Sequence, residues 1–215
     1  KNMLCSFIPA EEADYNEHPF AFAEKYKARK TADGRQRFEF NFIHSYAASC
    51  GDVLGEAEKL DPVPENLLEQ YASMGIQGIW IHALLYLLYP IPGAEEYSAG
   101  REKRLANLKR IIERCARYGI KLYLYLNEPR FMPAPFYDKK PEWRGIKKDG
   151  DEDNIWHICT TRTKEPLQWL ESGLKWLFAE AKGLGGIFCI NQSENPTSCH
   201  SHTNSYACPY CSKHL

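Results

Sequence analysis

Two groups of side chains in this 215-residue sequence have the types and spacing of chemistry. The first lies near the carboxyl end. Cys199-x2-His202 and Cys208-x2-Cys211 form two chelating pairs with five residues between them. Thiolate and imidazole in two such pairs suit a tetrahedral zinc ion. Four protein donors leave no open position, so the metal would be structural. His200 competes with His202 for the fourth place, and free surface cysteines are the plain alternative. A redox role fits less well, because CPYC does not open a helix after a strand as a thioredoxin-type motif does. The second group is dispersed. Four apolar runs each finish on polar side chains: RFEFNFIHSY on His44, Ser45 and Tyr46; GIQGIWIH on His82; IKLYLYLNEP on Asn127 and Glu128, with Arg130 just beyond; and GIFCINQSEN on Asn191, Gln192 and Glu194. Solvent explains any one such end. Four of them, on neighbouring parallel strands, line one pocket.

The elements between these runs supply that arrangement. Pro64–Met74 reads as a helix with Leu67, Leu68 and Tyr71 on one face. Over Arg101–Tyr118, Leu105, Leu108, Ile111, Ile112 and Cys115 follow the i, i+3, i+4, i+7 pattern of an amphipathic helix, and Gly119 ends it as the glycine just past the cap. Glu165–Lys182 repeats the pattern, with Leu167, Leu170, Leu174, Leu177 and Phe178 expected inward. Trp169 and Trp176 on the same helix read as packing residues, and Trp80, in mid-strand, as core. The order strand, helix, strand, helix, strand, helix, strand gives a parallel α/β fold with helical crossovers. No GxGxxG marks a dinucleotide fold, so no organic cofactor is expected. The connections after the strands are long; the one over residues 126–161 reads as a loop. Long loops at the carboxyl ends of parallel strands are where a (β/α)8 barrel, which needs about 250 residues, carries its active site. Four repeats make half of one. The expected fold is therefore a partial TIM-type barrel over residues 36–215, with the Cys/His cluster at 199–211, behind a lead-in segment over 1–35 that holds a short helix around Phe20–Arg29. A small open α/β sheet is the alternative.

Bulk composition agrees. The apolar fraction is 44% and the formal net charge is −1, ordinary values for a globular chain able to bury roughly 70% of its extended surface. No basic excess points to nucleic acid or an anionic membrane. No apolar run reaches the roughly 20 residues of a membrane-spanning helix. Of the eight cysteines, Cys5, Cys50, Cys115, Cys159 and Cys189 are scattered, a pattern of reduced thiols that suggests a cytoplasmic protein. The absence of Met at position 1 suggests a chain processed or cut from a longer one. Open sheet edges on a half barrel would invite self-association.

RFEFNFIHSY, GIQGIWIH, YGIKLYLYLNEPRFMP, PEWRG with ICTTRTKEPLQWL, and GLGGIFCINQSEN together resemble the first four strands of bacterial glycoside hydrolase barrels. The nearest broad relatives are the hexosaminidase-like barrels of family 20 and its neighbours, and a bacterial group carrying SEN, then Cys, then CPxC. The resemblance covers residues 36–213. It implies hydrolysis of a glycosidic bond, a carbohydrate partner, and Glu194 at the end of strand four as general acid. Ser193 stands where family 20 has an Asp that orients the substrate acetamido group, so the acetamido-assisted mechanism does not carry over. Such chemistry uses two carboxylates. In the commonest barrel glycosidases the second comes from a later strand, so the 215-residue chain alone is expected to be inactive. Glu128 is the other strand-end carboxylate here, expected as a substrate-binding or structural group together with His44, Tyr46, His82, Asn127, Arg130 and Asn191. Trp143, on a charged loop, is expected as an aromatic platform for a sugar face; Tyr86, Phe131 and Phe136 are further aromatic candidates. A non-catalytic sugar-binding or interaction domain of barrel type is the alternative function. A zinc-ribbon-like binding protein would leave the strand–helix rhythm unexplained.

Overall fold

The computed structural model describes residues 40–45, 51–147, 155–189, 197–200 and 207–214; the lead-in expected over 1–35 lies outside them. In chain order the elements are β1 (Phe42–His44), α1 (Val53–Glu56), α2 (Glu65–Ser73), β2 (Gly78–His82), α3 (Arg101–Arg117), β3 (Lys121–Tyr125), β4 (Met132–Pro133), α4 (Phe136–Lys139), β5 (Arg144–Lys147), β6 (Ile155–Ile158), α5 (Glu165–Glu180) and β7 (Gly186–Phe188). Strands β1, β2, β3 and β7 form one sheet in that order, every neighbouring pair parallel. Sequential parallel strands joined through helices are the arrangement of the first four repeats of a (β/α)8 barrel, as the strand–helix alternation requires.

The two faces of this sheet differ in chemistry because side chains alternate along a strand. Ile79, Ile81, Leu122 and Leu124 point to one face, where they are fully buried in a core shared with Leu67 and Leu68 of α2, Leu108, Ile111, Ile112 and Cys115 of α3, and Leu177 of α5. Phe42, His44, Trp80, His82, Tyr123, Tyr125 and Phe188 share the other face, by the registers Phe42↔Gly78, His44↔Trp80, Trp80↔Tyr123, His82↔Tyr125 and Tyr125↔Phe188. Helices pack outside a barrel, so this aromatic face is the one that faces a barrel interior. Its ends are open: Phe42 is 38% and Phe188 39% exposed. β7 is thus less covered than a buried fourth strand should be.

Local sequence explains the helix that sets the sheet's spacing. α3 stops where Gly119 takes φ +68°; the Gly119 N–H donates to Ala116 O and the Ile120 N–H to Cys115 O, both at 3.1 Å. That pair of bonds satisfies carbonyls the helix leaves over and turns the chain straight into β3. Asp52 caps α1 by accepting from the Gly55 N–H at 3.1 Å and takes the Arg104 guanidinium of α3 at 2.8 Å, fastening the segment after β1 to the helix before β3.

Three expectations are corrected. Trp80, read as a core residue, is half-buried on the aromatic face instead. Residues 126–161 are more than a loop: β4, β6 and β5 form a second, antiparallel sheet in that order. On α5 the inward stripe is Pro166, Trp169, Gly173 and Leu177, whereas Leu167 and Phe178 are 48% and 43% exposed. The helix is rotated because Gly173 admits close contact. A Cβ there would lie 2.9 Å from Tyr89 Cδ1 and 3.0 Å from Leu85 Cδ2. Trp169 fills the space beside it, its Nε1 donating to Pro90 O at 3.0 Å. Among the described residues no helix is long and apolar enough to cross a membrane.

Candidate functional site

The carboxyl ends of β1, β2 and β3 gather His44, His82, Asn127, Glu128 and Arg130 on one side of the molecule, as parallel strands in register must. His44 is half-buried, its ring stacked on Trp80 with centroids 3.8 Å apart; burial lowers its pKa below the ordinary imidazole value. The pKa of His82 is lowered as well, first by burial and then by the positive charge of Arg130, against a hydrogen bond with the Gly51 backbone that favours the imidazolium. Both rings are therefore biased toward the neutral form, able to donate and accept at once. Trp80, Tyr125 and Phe188 form an aromatic cluster beside them, with centroids 5.1, 5.5 and 5.6 Å apart. A shallow recess, no larger than a water molecule needs, opens against His82, lined also by Asp52, Leu84, Leu88 and Arg104.

Asn127 is fully buried and donates through Nδ2 to the Tyr125 hydroxyl at 2.6 Å. Glu128 is held by backbone: Oε1 accepts from the Leu85 N–H and Oε2 from the Arg130 N–H, each at 2.8 Å. Burial pushes its carboxyl up to about 7, opposed by those two donors and by the Arg130 guanidinium. With both oxygens engaged, Glu128 clamps the segment after β2 to the segment after β3. Arg130 in turn lies 4.5 Å from the Phe131 ring centroid; burial lowers its pKa and Glu128 restores part of it.

Trp143 is not the sugar platform its charged neighbours suggest. It is 1% exposed. The 3-10 turn Pro141–Trp143 directs the indole inward, where it meets Phe136 and Trp169 at 5.9 and 6.1 Å and donates from Nε1 to Glu165 at 3.0 Å. Phe136 is fully buried too. Tyr46, Asn191, Glu194 and His202 lie outside the described residues.

The structure brings Cys199, Cys208 and Cys211 together and adds Cys159, which in sequence stands apart. The four sulfurs lie within 4.8 Å of one another and could hold a metal ion. Cys159 Sγ is 3.8 Å from both Cys208 Sγ and Cys211 Sγ, and all four residues are fully buried. The signal that could have singled out Cys159 is arithmetic: three clustered cysteines lack a fourth, and Cys159 directly follows the short run IWHI. Cys159 is drawn below the ordinary thiol value, chiefly by a hydrogen bond from Cys199, with N–H groups of Arg162 and Thr161 adding to it against the effect of burial. The same bond, with burial, raises Cys199, and burial pushes Cys211 up to about 12.

No protein-family model matches the chain, and no curated protein matches it. It is similar to several solved structures. A noncanonic maltogenic alpha-amylase from Thermotoga neapolitana matches with 15% identity and a TM-score of 0.47, over 73% of this chain and 40% of the amylase. An exo-beta-1,4-mannosidase from an Opitutaceae bacterium matches with 19% identity and a TM-score of 0.44, over 76% of this chain and 28% of the mannosidase. A GH36 alpha-galactosidase from Geobacillus stearothermophilus, crystallised with stachyose, matches with 15% identity and a TM-score of 0.47, over 85% of this chain and 26% of the galactosidase. The chain thus spans well under half the length of each. Likeness of this degree says nothing of activity.

Proposed function

We propose that the chain is the first half of the barrel of a carbohydrate-active enzyme, a glycoside hydrolase whose sugar site lies at the carboxyl ends of β1, β2, β3 and β7. The observation that supports this best is the two-faced sheet. One face is aliphatic and packs on helices. The other carries Trp80, Tyr125, Phe188, His44 and His82 toward a barrel interior, where rings can stack on sugar faces and neutral imidazoles can bond hydroxyls. Glu194, six residues beyond Phe188, is the proposed general acid, a role taken from the resemblance of GIFCINQSEN to a fourth barrel strand. His44, His82 and Asn127 are proposed to bind substrate, with Tyr46 and Asn191, and Glu128 and Arg130 to hold the pocket's wall in place. The second carboxylate would come from outside the 215 residues.

One observation favours a second reading, a sugar-binding module without catalysis. Among the described residues Glu128 is the carboxylate at the sheet's strand ends, and both its oxygens are occupied by backbone donors. Glu194→Gln in the complete protein separates the two. An enzyme should lose about 10² to 10⁴ in rate on an unactivated glycoside and much less on a nitrophenyl glycoside, whose leaving group needs little protonation. Equal, near-unity effects on both substrates would remove Glu194 as the acid. Sugar binding without turnover by the wild type would establish the module.

A further inference from the structure

We propose that Cys159, Cys199, Cys208 and Cys211 bind one zinc ion through four thiolates, and that this metal fastens the chain beyond β7 to the end of β6. The site stands on its own geometry and does not depend on the glycosidase reading.

The sulfur spacing is that of a mononuclear tetrahedral centre. With Zn–S of about 2.3 Å, the edges of such a tetrahedron measure about 3.8 Å. Cys159 Sγ sits 3.8 Å from Cys208 Sγ and 3.8 Å from Cys211 Sγ, and no pair among the four exceeds 4.8 Å. A disulfide would need about 2.05 Å between sulfurs, and all four cysteines are free. Four soft donors so placed select zinc, or iron at the same geometry, over the harder cations that oxygen ligands hold.

The backbone builds this cradle. Ile158 and Ser198 form a parallel bridge, with Ile158 N–H donating to Thr197 O at 3.3 Å and Cys199 N–H to Ile158 O at 3.2 Å. Cys159 and Cys199 are therefore neighbours on paired segments, forty residues apart in sequence. Cys208 and Cys211 come from one turn, closed by Ser212 N–H donating to Cys208 O at 3.0 Å. Gly145 lines the wall: a Cβ there would press on Cys199 Sγ and lie 2.9 Å from the His157 carbonyl oxygen.

The surroundings suit thiolates. The Arg162 N–H points at Cys159 Sγ at 3.4 Å, and the Ile146 N–H at the Cys199 sulfur. Hydrogen bonds of this kind stabilise the anionic form of a ligand and fix its direction. The Arg162 guanidinium lies over the ring of Tyr210, between the two carboxyl-terminal ligands, at 4.7 Å. Without an ion, the contacts between the four buried sulfurs would rest on weak S–H donors alone. An ion satisfies all four at once.

The ligand set differs from the one that spacing alone suggests, with Cys159 in place of His202, and the test turns on that difference. Protein purified without added metal should contain one zinc per chain by elemental analysis. Exchange with Co(II) should give the intense near-ultraviolet thiolate charge-transfer band and red d–d absorption of a tetrahedral sulfur site. Cys159→Ser should lose zinc or weaken its retention against a chelator by at least tenfold, while His202→Ala should leave both stoichiometry and Co(II) spectrum unchanged. Should Cys159→Ser fail to fold, the wild type still decides. Its four cluster thiols should resist alkylation until a chelator removes the metal, while the exposed Cys189 reacts throughout. Zinc near zero with the four thiols freely alkylated, a Cys208–Cys211 disulfide, iron in place of zinc, or loss of metal in His202→Ala with retention in Cys159→Ser would each overturn the proposal.

Discussion

Replacing Glu128 with Gln should change how the stability of the fold depends on pH. The carboxyl of Glu128 is raised from 4.5 to about 7 by burial. A raised acid binds its proton more tightly in the folded chain than in the unfolded one. Its contribution is fully present below about pH 4.5, falls as pH rises toward 7, and is gone above that. At about 1.4 kcal/mol per pH unit, the gap amounts to about 3 kcal/mol. Gln has nearly the shape of the protonated acid but does not titrate. The stability difference between variant and wild type should therefore move in the variant's favour by about 3 kcal/mol between about pH 4.5 and about pH 8. Urea unfolding at several pH values measures it, and a common m-value would show that the unfolded states match. Other titrating groups cancel in the difference. The two N–H donors on the carboxylate pull the other way, since each prefers an anion to an amide nitrogen. A variant whose disadvantage grows with pH would show that these donors outweigh burial and would refute the reasoning; a pH-independent difference would refute it equally.

Further outcomes follow from packing. Trp143→Ala should cost about 3–5 kcal/mol, since a fully buried indole and its bond to Glu165 are lost together; denaturant midpoints check this, and sugar binding by the folded variant should be unaffected. Gly145→Ala should cost about 1–3 kcal/mol by overpacking against the Cys199 sulfur and the His157 carbonyl. It should also lower zinc retention, which elemental analysis after brief dialysis against a chelator would read.

Much of the main sheet was legible because two periodicities speak plainly. Ile79 and Ile81 alternate with Trp80 and His82, and Leu122 and Leu124 with Tyr123 and Tyr125, so a strand with two unlike faces can be read from either run. Leu108, Ile111, Ile112 and Cys115 mark the buried stripe of α3, and Gly119 its end. The stripe of α5 was misread because hydrophobicity alone put Leu167 and Phe178 inward. A glycine carries no hydrophobic signal, yet Gly173 decides the rotation by admitting Tyr89 and Leu85. The antiparallel sheet was invisible for a related reason. β4 has two residues, one of them proline, and Arg144–Lys147 has the composition of a turn.

At the candidate sites, what spacing could find was local. Cys208 and Cys211 are a pair wherever the chain goes, because only three peptide units separate them. Cys159 joins them only through tertiary structure: the parallel bridge between Ile158 and Ser198 sets Cys159 beside Cys199. No sequence window spans that distance. Trp143 fails in the opposite direction. Its neighbours Glu142 and Arg144 are charged and exposed, so a reading by neighbourhood places it on the surface, but a 3-10 turn carries successive side chains to different sides and sends the indole alone into the core. Glu128 shows the same limit for polar groups. Its residue type and place at a strand end are those of a catalytic acid or a substrate ligand. Its partners, the N–H groups of Leu85 and Arg130, are backbone atoms that every sequence possesses. A carboxylate aimed at substrate and one aimed at its own loops read alike until the chain is folded.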